Sequence, residues 1–117
     1  MKLPGLVYRM CREGALIAGS TARVFAGVST KTPDDWDLLV PFERWNTVAL
    51  LIPPGARTNK FGGWKFPLDC GNLVDVWPGS VQEHLQNACS YEGGSAYVYD
   101  PLNNRVFSIR GVLRKEG

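Results

Sequence analysis

The chain sets acidic side chains inside two otherwise apolar segments, Asp35-Trp36-Asp37-Leu38-Leu39-Val40 and Leu73-Val74-Asp75-Val76-Trp77. Short apolar runs of this length, rich in Val, Leu and Trp, read as buried strands. A carboxylate in such a strand is costly unless a partner or a bound cation compensates for the lost water. Residues two apart on a strand share a face. Asp35 and Asp37 therefore point together, and Trp36 points into the opposite layer. A fold that accepts these segments must give their carboxylates a common, polar destination. Asp75, on a neighbouring strand, is the third acid that such a place would gather.

The remaining pattern alternates helix and strand. Residues 4–13 read as a short helix with Leu6, Val7 and Met10 at helical spacing, ended by Gly14. Residues 15–18 (ALIA) form a buried strand. Ser20 or Thr21 caps a helix to about residue 26, and Gly27 stops it. Residues 29–34 are loop, broken at Thr32-Pro33. After the strand 36–40, Pro41 suits the first position of a helix to about residue 50. The alternation of Val48, Leu50 and Ile52 allows a strand over 47–52 instead. Residues 59–66 read as a strand whose Gly62-Gly63 marks a bulge or a close backbone approach. Residues 72–77 form another strand, closed by Pro78-Gly79. Ser80-Val81-Gln82-Glu83 has the form of a capping box, opening a helix to about residue 88. Residues 96–99 and 105–109 flank Asp100-Pro101-Leu102-Asn103-Asn104 as a hairpin. The expected class is α/β (α+β): one mixed sheet with flanking helices and a C-terminal β-hairpin, in a single domain over residues 1–117.

Composition narrows the function classes. At 117 residues, with 44% hydrophobic and 21% charged side chains, the chain can bury one core and is not a disordered segment. A net charge of +2 neither requires nor excludes nucleic acid. Lys2, Arg9, Arg12, Arg23 and Lys31 near one end, and Arg105, Arg110, Arg114 and Lys115 near the other, flank an acidic centre of Asp34, Asp35, Asp37 and Glu43. Convergence of the basic ends would suit a metal–phosphate site; otherwise they are solvated surface. Cys11, Cys70 and Cys89 are odd in number and lack a C-x-x-C step, which argues against a disulfide framework or structural zinc. The expected setting is a reducing cytoplasm, away from membranes.

Two carboxylates side by side repel, and one tends to protonate. A divalent cation removes the conflict, and hard oxygen ligands suit Mg²⁺ or Mn²⁺ completed by substrate phosphates. With Asp75, three carboxylates could hold two ions. Ahead of them, Gly19-Ser20 follows a strand and opens a helix. Glycine lets backbone approach a ligand, and a helix N-terminus favours an anion. Arg23, Lys60 and Lys65 are further phosphate contacts, or ordinary surface cations. Gly19-Ser20 could equally be a turn and cap, Asp35 and Asp37 a loop-end pair, and Asp75 an edge residue facing water. His84 reads as exposed or structural. Trp36, Trp45, Trp64 and Trp77 read as core, although Trp64 beside Gly62-Gly63 could face a ligand.

In order, Gly19-Ser20, Asp35-Trp36-Asp37-Leu38 and Asp75 resemble the nucleotidyltransferase superfamily with the DNA polymerase β type of fold. The Gly-Ser-Thr-Ala-Arg wording is similar to the small stand-alone minimal nucleotidyltransferases of prokaryotes and their viruses. The resemblance spans residues 15–77 and implies a nucleotidyltransferase-like palm. It implies that Asp35 and Asp37 hold the ion escorting a nucleoside triphosphate, ATP among the candidates. Asp75 would complete a second metal site and help deprotonate the acceptor, while Gly19 and Ser20 hold the β- or γ-phosphate. The reaction implied moves a nucleoside monophosphate to a hydroxyl of RNA, a small molecule or a protein, with release of pyrophosphate. A viral origin would place the protein in the host cytoplasm. The segment between Ser20 and Asp35 is longer than the family usually shows, and little chain follows Asp75 to grip an acceptor. A homodimer or a cognate protein partner would fill that role. The alternative is an inactive nucleotide-binding or partner-binding module, antitoxin-like or regulatory.

Overall fold

The computed structural model describes residues 2–30, 35–92, 96–109 and 111–114, with the backbone alone given for 88–92 and 112–114. The expected loop break at Thr32-Pro33, the charges Lys31, Asp34, Arg110, Lys115 and Glu116, and the Cys89 side chain lie outside that description.

Helix α1 (Gly5–Arg12) buries Val7, Met10 and Cys11 and carries Arg9 and Arg12 in its last turn, where cations complement the helix dipole. It ends as expected at Gly14. The Ala15 N–H reaches the Met10 carbonyl (3.0 Å) and the Gly14 N–H reaches that of Cys11 (3.1 Å), the paired bonds of a Schellman ending. Arg44 reinforces this end, donating from Nε to the Glu13 carbonyl at 2.8 Å. Strand β1 (Leu16–Ala18) then passes straight into α2 (Gly19–Phe25). Strand β2 (Trp36–Val40) is followed by a 3₁₀ turn over Phe42–Arg44 and by α3 (Trp45–Ala49). The segment is thus helical, not a strand over 47–52. Pro41 stays extended (φ −52°, ψ 144°) and precedes the helix instead of opening it.

The largest departure from expectation concerns residues 59–66. They are not one strand. Strands β3 (Arg57–Thr58) and β4 (Trp64–Pro67) form a hairpin whose turn is organised by Asn59, with Oδ1 accepting from the N–H groups of Phe61 (3.0 Å) and Gly63 (2.8 Å). Side-chain bonding of this kind competes with a continuous ladder and bends the chain. Strand β5 (Leu73–Pro78) and helix α4 (Val81–Glu92) follow, and the Ser80 hydroxyl accepts from the Glu83 N–H (3.3 Å), half of the expected capping box. Strands β6 (Tyr97–Asp100) and β7 (Arg105–Ser108) make the expected hairpin, and β8 (Gly111–Arg114) adds a strand that the pattern did not suggest.

All eight described strands join one mixed sheet in the order β3-β4-β5-β2-β1-β6-β7-β8. Among the described strands only β2 and β5 pair in parallel, and the other pairings are antiparallel. Alternation sorts the side chains into two layers. Ile17, Trp36, Leu38, Val40, Phe66, Val74, Val76 and Tyr99 face α1, α2 and α3 in the larger core. Ala18, Leu39 and Val98 face α4 through Leu85, with Trp77, Val81 and Phe107 at the margin. Trp36 thus enters the layer opposite Asp37, as period-two reasoning requires. Among the described residues no helix is long and apolar enough to cross a membrane.

One buried acid is structural. Asp100, 7% exposed, sits at the end of β6 and accepts from the Asn103 amide (2.8 Å), the Arg105 guanidinium (3.0 Å) and the Leu102 N–H (3.2 Å). Burial pushes its carboxyl pKa up, but the Asn103 and Arg105 hydrogen bonds outweigh burial and hold it below the ordinary 3.8. A lowered folded-state pKa contributes stability that is present above the unfolded value and lost as pH falls through the folded one. Asp100→Asn is expected to cost about 1–3 kcal/mol at neutral pH. Its deficit relative to wild type should shrink below pH 3.8. Urea melts across the acid range measure this, and a pH-independent deficit would contradict it.

Candidate functional site

The site begins where β1 turns into α2. Gly19 takes φ +65°, and a Cβ there would collide with the Asp37 carboxylate, whose Cγ lies 3.0 Å away. Only glycine permits both the backbone angle and the approach. Thr21, 1% exposed, donates from its hydroxyl to the Asp35 carbonyl at 2.9 Å and so ties the first turn of α2 to the entry of β2. Ser20 is exposed beside it, and Arg23 is half-buried in the last turn of this seven-residue helix.

The parallel ladder sets Asp37 directly opposite Asp75. Partners in register share a face, so both belong to the α4 side of the sheet, with Ala18 beyond Asp37 and Lys65 beyond Asp75. Both acids are partly buried. The Asp75 carboxylate accepts from Asn59 Nδ2 (3.2 Å) and lies 3.5 Å from Lys65 Nζ. Lys65 remains about half exposed, so this ion pair is worth little by itself. Asp35 stands apart from the two. It is exposed at the entry to β2, and its Oδ1 accepts from the Leu73 N–H at 2.9 Å, bridging the starts of β2 and β5. Lys60 is in the turn of the β3–β4 hairpin, its Nζ 5.3 Å from the Phe61 ring.

The structure thus brings together Gly19, Asp37, Asp75 and Lys65, and leaves Asp35, Ser20 and Lys60 at the margins. Among the described residues no group of three His, Cys, Asp or Glu side chains is placed to hold a metal ion. Asp37 and Asp75 are the carboxylates that could share one hard divalent cation, since Mg²⁺ needs only one or two protein carboxylates beside phosphate and water. The expected close approach at Gly62-Gly63 is real at Gly63, where a Cβ would strike the Val76 carbonyl and lie 2.7 Å from the Trp77 Cα.

Sequence reasoning passed over Asn59 and saw in Thr21 only a possible cap, whereas the N-cap of α2 is Ala18 and Thr21 lies inside the helix. Asn59 fastens the hairpin to β5, its amide also reaching the carbonyls of Trp64 (3.1 Å) and Val76 (3.4 Å). An asparagine three residues ahead of the Gly62-Gly63 pair was its one available signal, since Asn and Gly mark turns. The chain matches no family model, no curated protein and no solved structure.

Gly19→Ala is expected to lower stability by roughly 1–3 kcal/mol, because it meets both a left-handed backbone and a carboxylate. Gly5→Ala, at a position with open space, should be near neutral. Thermal melts of the two variants side by side test the contrast, and equal melting temperatures would count against the Gly19–Asp37 packing.

Proposed function

We propose that this chain is a metal-dependent nucleotidyltransferase of the DNA polymerase β type. It would move a nucleoside monophosphate from a nucleoside triphosphate to a hydroxyl acceptor. The observation that carries the reading is the Asp37–Asp75 pair, in register on adjacent strands, with Gly19 at the head of α2 packed against the Asp37 carboxylate. Asp37 and Asp75 would hold a Mg²⁺ or Mn²⁺ ion, which when bound neutralises phosphate charge and polarises the phosphoryl oxygens. Gly19 and Ser20, at the head of α2, would offer backbone and hydroxyl donors to a phosphate, and Lys65 would add a cation beside Asp75. In the reaction the acceptor oxygen bonds to the α-phosphorus and the α–β phosphoanhydride bond breaks. Its electron pair leaves on pyrophosphate, and the hydroxyl proton passes to the Asp75 carboxylate.

A second reading has its own support. Asp35 and Asp75 already serve the fold as acceptors, for Leu73 and Asn59 respectively. An inactive nucleotide-binding or partner-binding module could keep them for that purpose.

Calorimetric titration of each common nucleoside triphosphate, with and without Mg²⁺, separates the two. Wild type is expected to bind in a Mg²⁺-dependent way and to release pyrophosphate once an acceptor is supplied. Asp37→Ala and Asp75→Asn should each weaken binding by about ten-fold or more, or about 1.4 kcal/mol, while circular dichroism stays native. Binding unchanged in both variants would sink the carboxylate assignment. Binding without turnover for any hydroxyl acceptor would favour the second reading.

A further inference from the structure

The β3–β4 hairpin combines cations with aromatic rings. Residues 55–67 (GARTNKFGGWKFP) contain Arg57, Lys60 and Lys65 and no acid. The ladder orders them. Arg57 pairs with Lys65, Lys65 with Asp75, and Asp75 with Asp37. One face of the sheet therefore runs cation, cation, acid, acid from its edge inward. At the tip of the hairpin Phe61 is 50% exposed. It rests on Trp77, with ring centroids 5.1 Å apart, and Trp77 in turn lies 5.9 Å from the His84 ring. Trp77 is two residues beyond Asp75, so it shares the carboxylate face. Trp64, by contrast, pairs with Val76 and belongs to the other face.

An exposed ring supported from below, with cations beside it, is the combination that binds single strands. Cations track the phosphates, and each base stacks on an aromatic face without regard to sequence. Stacking alone would also suit a lone nucleobase or an apolar peptide. The run of three cations without an acid favours a polyanion.

We infer that the hairpin face built from Arg57, Lys60, Phe61 and Lys65 binds single-stranded nucleic acid, one base stacking on Phe61. The terminal hydroxyl of that strand is then the acceptor for the Asp37–Asp75 site; this last step rests on the function proposed above. Its chemistry is the displacement already described, with the strand's hydroxyl as the attacking oxygen.

The test is fluorescence anisotropy with a short labelled oligouridylate, without Mg²⁺ or nucleotide, over a range of salt. Wild type is expected to bind. Phe61→Ala should weaken binding about ten-fold, while Phe61→Trp retains it, which separates stacking from a disturbed hairpin. Arg57→Ala should lower the slope of log affinity against log salt by about 0.7, the loss of one phosphate contact. Arg12→Ala, on α1 outside this face, should change nothing. No binding by wild type, or equal binding by Phe61→Ala and Arg57→Ala, overturns the inference. Asp37→Ala should keep oligonucleotide binding while losing the triphosphate. A protein that binds Mg²⁺-nucleotide but no oligonucleotide disproves the hairpin surface alone. One that binds oligonucleotide but no nucleotide supports the surface and removes the transferase reading.

Discussion

The parallel pairing of β2 with β5 is the contact on which the rest of the molecule depends. It joins two largely apolar strands near the centre of the sheet and aligns Trp36 with Val74, Leu38 with Val76 and Leu39 with Trp77. Parallel neighbours need a crossover between them, and that connection contains α3 and the β3–β4 hairpin. Because the hairpin adds its strands outside β5, the same crossover that covers one face also extends the edge. A slip of β5 by one residue against β2 would turn Asp75 into the larger core and Val76 out of it. Burial of the apolar set therefore enforces the position of the acids.

This explains how two carboxylates can be tolerated near the sheet's centre. They lie on the face that α4 covers only in part, while the opposite face is filled by three helices. Lys65 and Asn59 reach Asp75 from the hairpin, and the start of α2 lies against Asp37. The arrangement is polarised. Carboxylates occupy the inner strands, and cations with an exposed aromatic ring occupy the edge.

The opposite half of the sheet is built differently. There Asp100 closes the β6–β7 turn, and Phe25 stacks on Tyr99 at 4.4 Å with the rings nearly parallel. Burial, with the Asp100 charge adding to it, pushes the Cys11 thiol up to about 12, so it stays protonated as part of the core. Asp100 is enclosed by its own turn, whereas Asp75 takes its partners, Asn59 and Lys65, from the edge hairpin.

Much of this architecture was legible in the sequence because local physics sets it. Short apolar runs located β2 and β5, and the period of two sent Trp36 away from Asp37. Gly14 and Gly27 marked the helix ends, and Ser80 marked the start of α4. Local pattern failed at residues 59–66, where the Asn59 side chain turns the chain back on itself, and at β8, whose pairing with β7 is its main support. Candidate acids could be chosen from the cost of burying them, yet which two meet could not. Asp35 and Asp37 sit on one strand, but it is Asp37 and Asp75, far apart in the chain, that face each other, while Asp35 turns to the Leu73 amide. The sequence by itself determined most of the elements and the opposed faces of Trp36 and Asp37, because those follow from backbone period and burial. Only the tertiary structure decided which carboxylates are neighbours and that a basic, aromatic hairpin lies beside them, because strand order and register come from long-range pairing.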